Sequence, residues 1–141
     1  MPKFGVGEMR TMKLRLNISG VLLLLVFVFL VGAAEAQVKT IDFKLKSDLM
    51  KREMPYRVLL PAKYEERKDA RFPVVYLLHG LTGRFDNWTE KTKIAKILES
   101  HNLIVVMPEG ENGWYTDSAV NPDSKYESYI IRELIPQVDR D

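Results

Sequence analysis

Cysteine is absent from all 141 residues. That excludes a disulfide framework, a thiolate-ligated zinc site and a thiol nucleophile. Histidine occurs only at His79 and His101, too little for a histidine metal cluster. Neither sign of charge dominates. The formal net charge is +2, and from Gln37 onward 17 Lys and Arg face 17 Asp and Glu. With no basic stripe, a nucleic-acid partner is not expected. The same stretch holds no internal repeat, no low-complexity tract and neither phosphate-loop pattern, G-x-G-x-x-G or G-x-x-x-x-G-K-[ST]. What is present is ordinary for a globular chain: 46% apolar and 28% charged residues, enough for one domain and not for two.

The first 36 residues read as an address rather than as fold. Lys3, Arg10, Lys13 and Arg15 precede an unbroken apolar run at residues 21–31, followed by Ala34-Glu35-Ala36. Positive, apolar and small-x-small segments in that order are the parts of a secretory signal peptide. The expectation is cleavage after Ala36, a secreted or periplasmic mature chain of residues 37–141, and no stable membrane insertion thereafter. The alternative is an uncleaved leader acting as a membrane anchor, although the strict run is shorter than the ~20 residues that span a bilayer.

Beyond the leader, Ile41, Phe43 and Leu45 alternate with polar neighbours, and so do Met54, Tyr56, Val58 and Leu60. A period of two predicts two half-buried strands, with residues 47–52 turning the chain into an antiparallel hairpin. Residues 63–71 are nearly all charged or small and read as a solvated loop. Residues 74–78 and 103–107 are continuous apolar runs, the pattern of strands buried on both faces. Between them, residues 90–100 carry a helical stripe of Ile94, Ala95, Ile97 and Leu98, with Thr89 or Asn87 as N-cap. Strand, helix and strand with short links predict a parallel βαβ unit. A second helix is expected over residues 125–138. Tyr126, Tyr129, Ile130, Leu134 and Val138 form its apolar face, Ser124 is its cap, and Pro136 disturbs its last turns. The predicted fold class is therefore α/β: an antiparallel hairpin followed by parallel βαβ. Two helices cannot cover both faces of such a sheet, so the chain reads as the front half of a larger domain.

Two segments leave the carboxyl ends of the apolar strands, where sites form in open α/β sheets. The first is Leu78-His79-Gly80-Leu81-Thr82-Gly83, whose glycines allow a sharp turn that presents N–H groups. It suits either a plain strand–helix turn or a loop supplying an oxyanion donor. The second, residues 108–118, contains Glu109, Gly110, Glu111, Asn112, Gly113, Trp114, Tyr115, Thr116 and Asp117. Its Trp114 and Tyr115 fit pocket lining and plain packing equally well.

Three blocks in order, PVVYLLHGLTGRFDNW, LIVVMPEGENGWYTDS and YESYIIRELIPQVDR, resemble the "Putative esterase" branch of the α/β-hydrolase superfamily over residues 54–141. That branch includes S-formylglutathione hydrolases, acetyl and tributyrin esterases, feruloyl esterases and mycolyltransferases. HG-x-x-G and N-G-W-Y-T-D make the tributyrin-esterase-like proteins most similar. The resemblance implies an α/β-hydrolase sheet, and an oxyanion donor at the Leu81 backbone N–H. It implies substrate-site roles for His79, Gly80, Trp114 and Tyr115, with His79 shaping the loop rather than serving as base. Glu133 would be structural. A small acyl ester is the implied substrate, with no cofactor and no metal.

The departure from the family pattern is large. No G-x-S-x-G occurs, although that motif places the attacking serine in such enzymes. The serines from residue 37 onward, Ser47, Ser100, Ser118, Ser124 and Ser128, all lack glycine at both minus two and plus two. His101 suits a helix C-terminus, where the dipole favours a cation, rather than a base. The expectation is the N-terminal part of a secreted serine carboxylesterase, truncated before the nucleophile strand, inactive alone and prone to self-association. The rivals are a non-catalytic secreted binding module using the Trp114–Tyr115 loop, and a flavodoxin-like nucleotide binder disfavoured by the missing phosphate motif.

Overall fold

A computed structural model describes residues 37–67 and 69–140. The expected leader over residues 1–36 lies outside them. Strands β1 (Lys39–Ser47) and β2 (Arg52–Leu60) pair antiparallel, from Lys39 opposite Leu60 to Ser47 opposite Arg52. Alternation sets their faces: Met54, Tyr56 and Val58 are buried on one side of β2, and Leu59 on the other. Strands β3 (Val74–Tyr76) and β4 (Ile104–Pro108) pair parallel, and β4 also pairs antiparallel with β2. The sheet order is β1-β2-β4-β3. The α/β class, the hairpin and the parallel βαβ unit thus stand as the sequence implies.

Strand β4 is buried on both faces, but β3 is not. The expectation of two equivalent buried strands is corrected here. Among the described residues β3 has β4 alone as a partner, so Val75 stays 43% exposed. Its ladder also runs only one bond past Tyr76, where Leu77 N–H donates to Val106 O.

The helix expected over residues 90–100 is two short ones, α1 (Asn87–Lys91) and α2 (Ile94–Leu98). Thr92 breaks it with extended backbone (φ −136°, ψ 176°). Its hydroxyl donates to Trp88 O and accepts the Ile94 N–H, an alternative that β-hydroxy side chains offer to helical bonds. Neither Asn87 nor Thr89 caps α1; both lie inside it, and Thr89 Oγ1 donates to Asp86 O. At the far end His101 Nδ1–H donates to Ile97 O, closing the last turn.

The second helix forms in three parts: α3 (Tyr126–Tyr129), a π-turn (Ile130–Leu134) and α4 (Ile135–Arg140). Pro136 has no N–H for the usual i−4 bond, and the wide turn directly before it lets the helix continue. Ser124 is not its cap. The Asp117 carboxylate reaches in from the preceding loop and accepts both the Ser128 N–H (3.0 Å) and the Ser128 hydroxyl (2.6 Å). Those hydrogen bonds hold the Asp117 carboxyl below its ordinary range.

Tyr126, Tyr129, Ile130 and Leu134 bury one sheet face together with Tyr56, Val58 and Val106. On the other face Leu98, with Trp88 and Ile94 against it, packs on Leu59, Val105 and Met107. Two side-chain clasps lock these layers. Arg57 donates to both oxygens of its cross-strand neighbour Asp42 at 2.6 and 2.8 Å, and to Glu90 of α1 at 3.1 Å. Glu133 accepts the Ser47 hydroxyl and the N–H groups of Asp48 (3.1 Å) and Leu49 (3.0 Å), tying the π-turn to the hairpin. Among the described residues no helix is long and apolar enough to cross a membrane.

Candidate active site

Parallel pairing of β3 and β4 brings the two strand-end segments side by side. His79 N–H donates to the Tyr115 hydroxyl (2.9 Å), and Thr82 N–H donates to Asn112 Oδ1 (3.1 Å). The His79 and Tyr115 rings meet edge to face at 5.4 Å. Burial, opposed by the His79 hydrogen bond, pushes the Tyr115 hydroxyl up to about 12. A cleft of about 70 Å³ opens between the loops, lined by His79, Gly80, Leu81, Glu111, Asn112, Trp114 and Tyr115. All five residues singled out from the sequence, His79, Gly80, Leu81, Trp114 and Tyr115, therefore border one space.

Their states differ. Leu81 is 58% exposed, and its N–H has no hydrogen-bond partner among the described residues. Trp114 is 71% exposed, with left-handed backbone at φ 54° followed by Tyr115 at φ 56°. Consecutive left-handed non-glycine residues store strain of roughly 1–2 kcal/mol each. The glycines do something other than supply positive φ, since the described glycines have none; Thr82 takes the left-handed position of the first loop (φ 60°). Gly83 allows close packing. A Cβ there would lie 2.8 Å from both Gly80 O and His79 Nδ1. At Gly80 a Cβ would meet nothing within 4 Å.

Glu109 is the residue that sequence reasoning passed over. It is 5% exposed, beside His79 at 6%. Its Oε1 accepts the N–H groups of Gly110 (3.0 Å) and Glu111 (2.7 Å), and its Oε2 accepts the Phe85 N–H (3.3 Å). His79 Nε2 lies 3.1 Å from Oε1. The available signal was an acid directly after a buried strand and before a glycine, a place where a carboxylate needs several donors. Beside the cleft, Arg52 donates to Glu111 (3.1 Å) and to the Tyr126 hydroxyl (2.9 Å), which donates in turn to Glu111 (2.7 Å). This triad holds the second loop from behind. Among the described residues no group of three His, Asp or Glu side chains is placed to hold a metal ion.

Known proteins share the family and the fold. The family model described as "Putative esterase" matches residues 47–141. An acetyl esterase of Caldicellulosiruptor saccharolyticus is 27% identical over 95 residues, covering 63% of this chain and 35% of that protein. An S-formylglutathione hydrolase from Agrobacterium tumefaciens superposes with a TM-score of 0.66 at 26% identity, covering 74% of this chain and 44% of that one. A ferulic acid esterase gives a TM-score of 0.65 at 24% identity, covering 74% and 43%, a likeness of fold. The chain thus spans about a third of the curated relative and less than half of these structures.

Proposed function

From the premise that this chain belongs to the "Putative esterase" family, we propose that it supplies the oxyanion side of a serine carboxylesterase acting on short acyl esters. The observation that carries the reading is the Leu81 N–H. It is unpaired at the rim of a cleft beside an open Gly80, at the carboxyl ends of two parallel strands. In the proposed reaction a serine oxygen attacks the ester carbonyl while a histidine takes the serine proton. The carbonyl oxygen becomes an oxyanion that Leu81 N–H stabilises; collapse expels the alcohol, which takes the proton back from the histidine, and water then attacks the acyl-serine by the same steps to release the acid and restore the serine. Trp114 and Tyr115 flank the ester from the second loop. No G-x-S-x-G occurs in these 141 residues, so the attacking serine is assigned to none of them. No cofactor enters this scheme.

We further propose that residues 1–36 are a leader removed after Ala36, giving a secreted or periplasmic protein. Mass spectrometry of exported material is expected to find Gln37 at the N-terminus; intact residues 21–31 in the membrane fraction would favour the anchor.

The activity test uses p-nitrophenyl acetate. The whole protein is expected to hydrolyse it and to be blocked by a serine-directed phosphonate, whereas the 141-residue chain alone stays at background. Phosphonate-sensitive turnover by the short chain would sink the assignment of the nucleophile. A whole protein that binds sugar or aromatic ligands through Trp114 but cleaves no ester would support the binding-module reading, for which the 71% exposure of Trp114 is the observation.

A further inference from the structure

We infer that His79 and Glu109 are positioning residues that aim the Leu81 N–H into the cleft by holding the Gly80 carbonyl. The inference rests on the esterase reading for what that N–H does, while its geometry stands apart from it.

The Gly80 oxygen receives two donors from the protein side, His79 Nδ1–H at 2.8 Å and Gly83 N–H at 2.9 Å. The peptide joining Gly80 to Leu81 is trans, so its C=O and N–H point in opposite directions. A carbonyl held inward therefore sends the Leu81 N–H outward, to the rim where it has no partner. Rotating this peptide would bury the donor and strip the carbonyl of both its bonds.

The His79 ring is held in turn. Nδ1 faces a carbonyl, which can only accept, so Nδ1 carries a proton. At the other end Nε2 lies 3.1 Å from Glu109 Oε1, and the Gly110 N–H donates between the two, 3.0 Å from each. Glu109 is fixed by the backbone of its own loop and by Phe85 N–H. The chain of contacts runs from β4 through an imidazole to one peptide plane on the β3 loop. A histidine that merely fills space would not need a proton at Nδ1.

Two near-isosteres separate the halves of the ring. In His79→Asn the amide nitrogen stands where Nδ1 was and keeps a donor for Gly80 O. In His79→Gln it stands near Nε2 and keeps only the Glu109 side. With p-nitrophenyl acetate and the whole protein, His79→Gln is expected to lower kcat by up to ~10²–10³ with KM nearly unchanged, the loss for one oxyanion donor. His79→Asn is expected to keep most of the wild-type kcat. A His79→Gln enzyme with wild-type kcat overturns the inference. So do equal losses in both variants that track equal losses of thermal stability. A wild type without esterase activity overturns the esterase reading itself, and the donor role with it. Should neither variant fold, ring-nitrogen NMR of the unsubstituted whole protein decides the geometry: a protonated, hydrogen-bonded Nδ1 is expected, and a bare Nδ1 refutes it.

Discussion

Gly80 and Gly83 stand three residues apart in one turn under different constraints. A methyl at Gly83 would strike backbone and a buried ring, neither of which can yield, so Gly83→Ala is expected to destabilise by roughly 1–3 kcal/mol, the usual scale of overpacking. Gly80→Ala meets open space and is expected to leave the thermal midpoint close to wild type, while its methyl occupies the rim of the cleft. Thermal unfolding of the two variants makes the comparison; equal midpoints would contradict the packing geometry. Tyr115 makes a second prediction. Tyr115→Phe keeps the ring but leaves the His79 N–H without its acceptor, at a cost of about 1–3 kcal/mol if no water replaces it. The same hydroxyl sets an alkaline limit. Its folded value is raised to about 12 from 10.0, so its contribution is complete below pH 10 and is lost as pH climbs toward 12. Tyr76 and Tyr126 are raised similarly by burial. Stability measured from pH 9 to 12 is expected to fall, and to fall less steeply in Tyr115→Phe.

At the scale of elements, the Glu133 clasp joins parts of the chain that no local pattern relates. The carboxylate on the π-turn satisfies two turn N–H groups and one hydroxyl of the hairpin. Glu133→Ala is expected to cost roughly 1–3 kcal/mol and to speed amide exchange at Asp48 and Leu49 before the rest of the sheet. Unchanged exchange at those amides would mean that the hairpin holds its own turn. The Arg57 clasp works on the opposite face and has an acid limit. Hydrogen bonding to Arg57 lowers the Asp42 carboxyl below its ordinary value of 3.8, so the clasp is intact above that pH and fails as pH falls through the lowered value. Asp42→Asn is expected to remove that part of the acid-induced loss, as stability curves below pH 4 will show.

For the molecule as a whole, the sheet edge decides behaviour. The outer edge of β3 has no strand partner among the described residues, and Val75 in that strand is 43% exposed. Open edges with apolar side chains pair with other chains. Isolated residues 37–141 are therefore expected to self-associate on size-exclusion chromatography, and Val75→Lys to shift them toward monomer. A sharp monomer peak with protected amides at residues 74–77 would overturn this and strengthen the binding-module reading.

Much of the fold could be read directly from residue order. Alternation at Met54, Tyr56 and Val58 encodes which face of β2 is buried, because a strand's side chains switch sides at every step. Apolar runs flanking a helical stripe encode a parallel crossover, and the crossover carries the two loops to the same end of the sheet. Local pattern could not reveal what depends on partners far along the chain. Thr92 breaks a helix because its hydroxyl competes for backbone groups, and Asp117 replaces Ser124 as the cap because the loop delivers it there. The exposure of Val75 follows from sheet order, which a five-residue apolar run does not contain. Glu109 meets His79 only because β3 and β4 pair in register, bringing residues 30 positions apart within 3.1 Å. Residue order was enough for the strand pattern, the α/β crossover and the end of the sheet where the two loops gather; tertiary pairing decided where helices break and which buried groups meet there, since hydrogen bonds depend on distance in space and not along the chain.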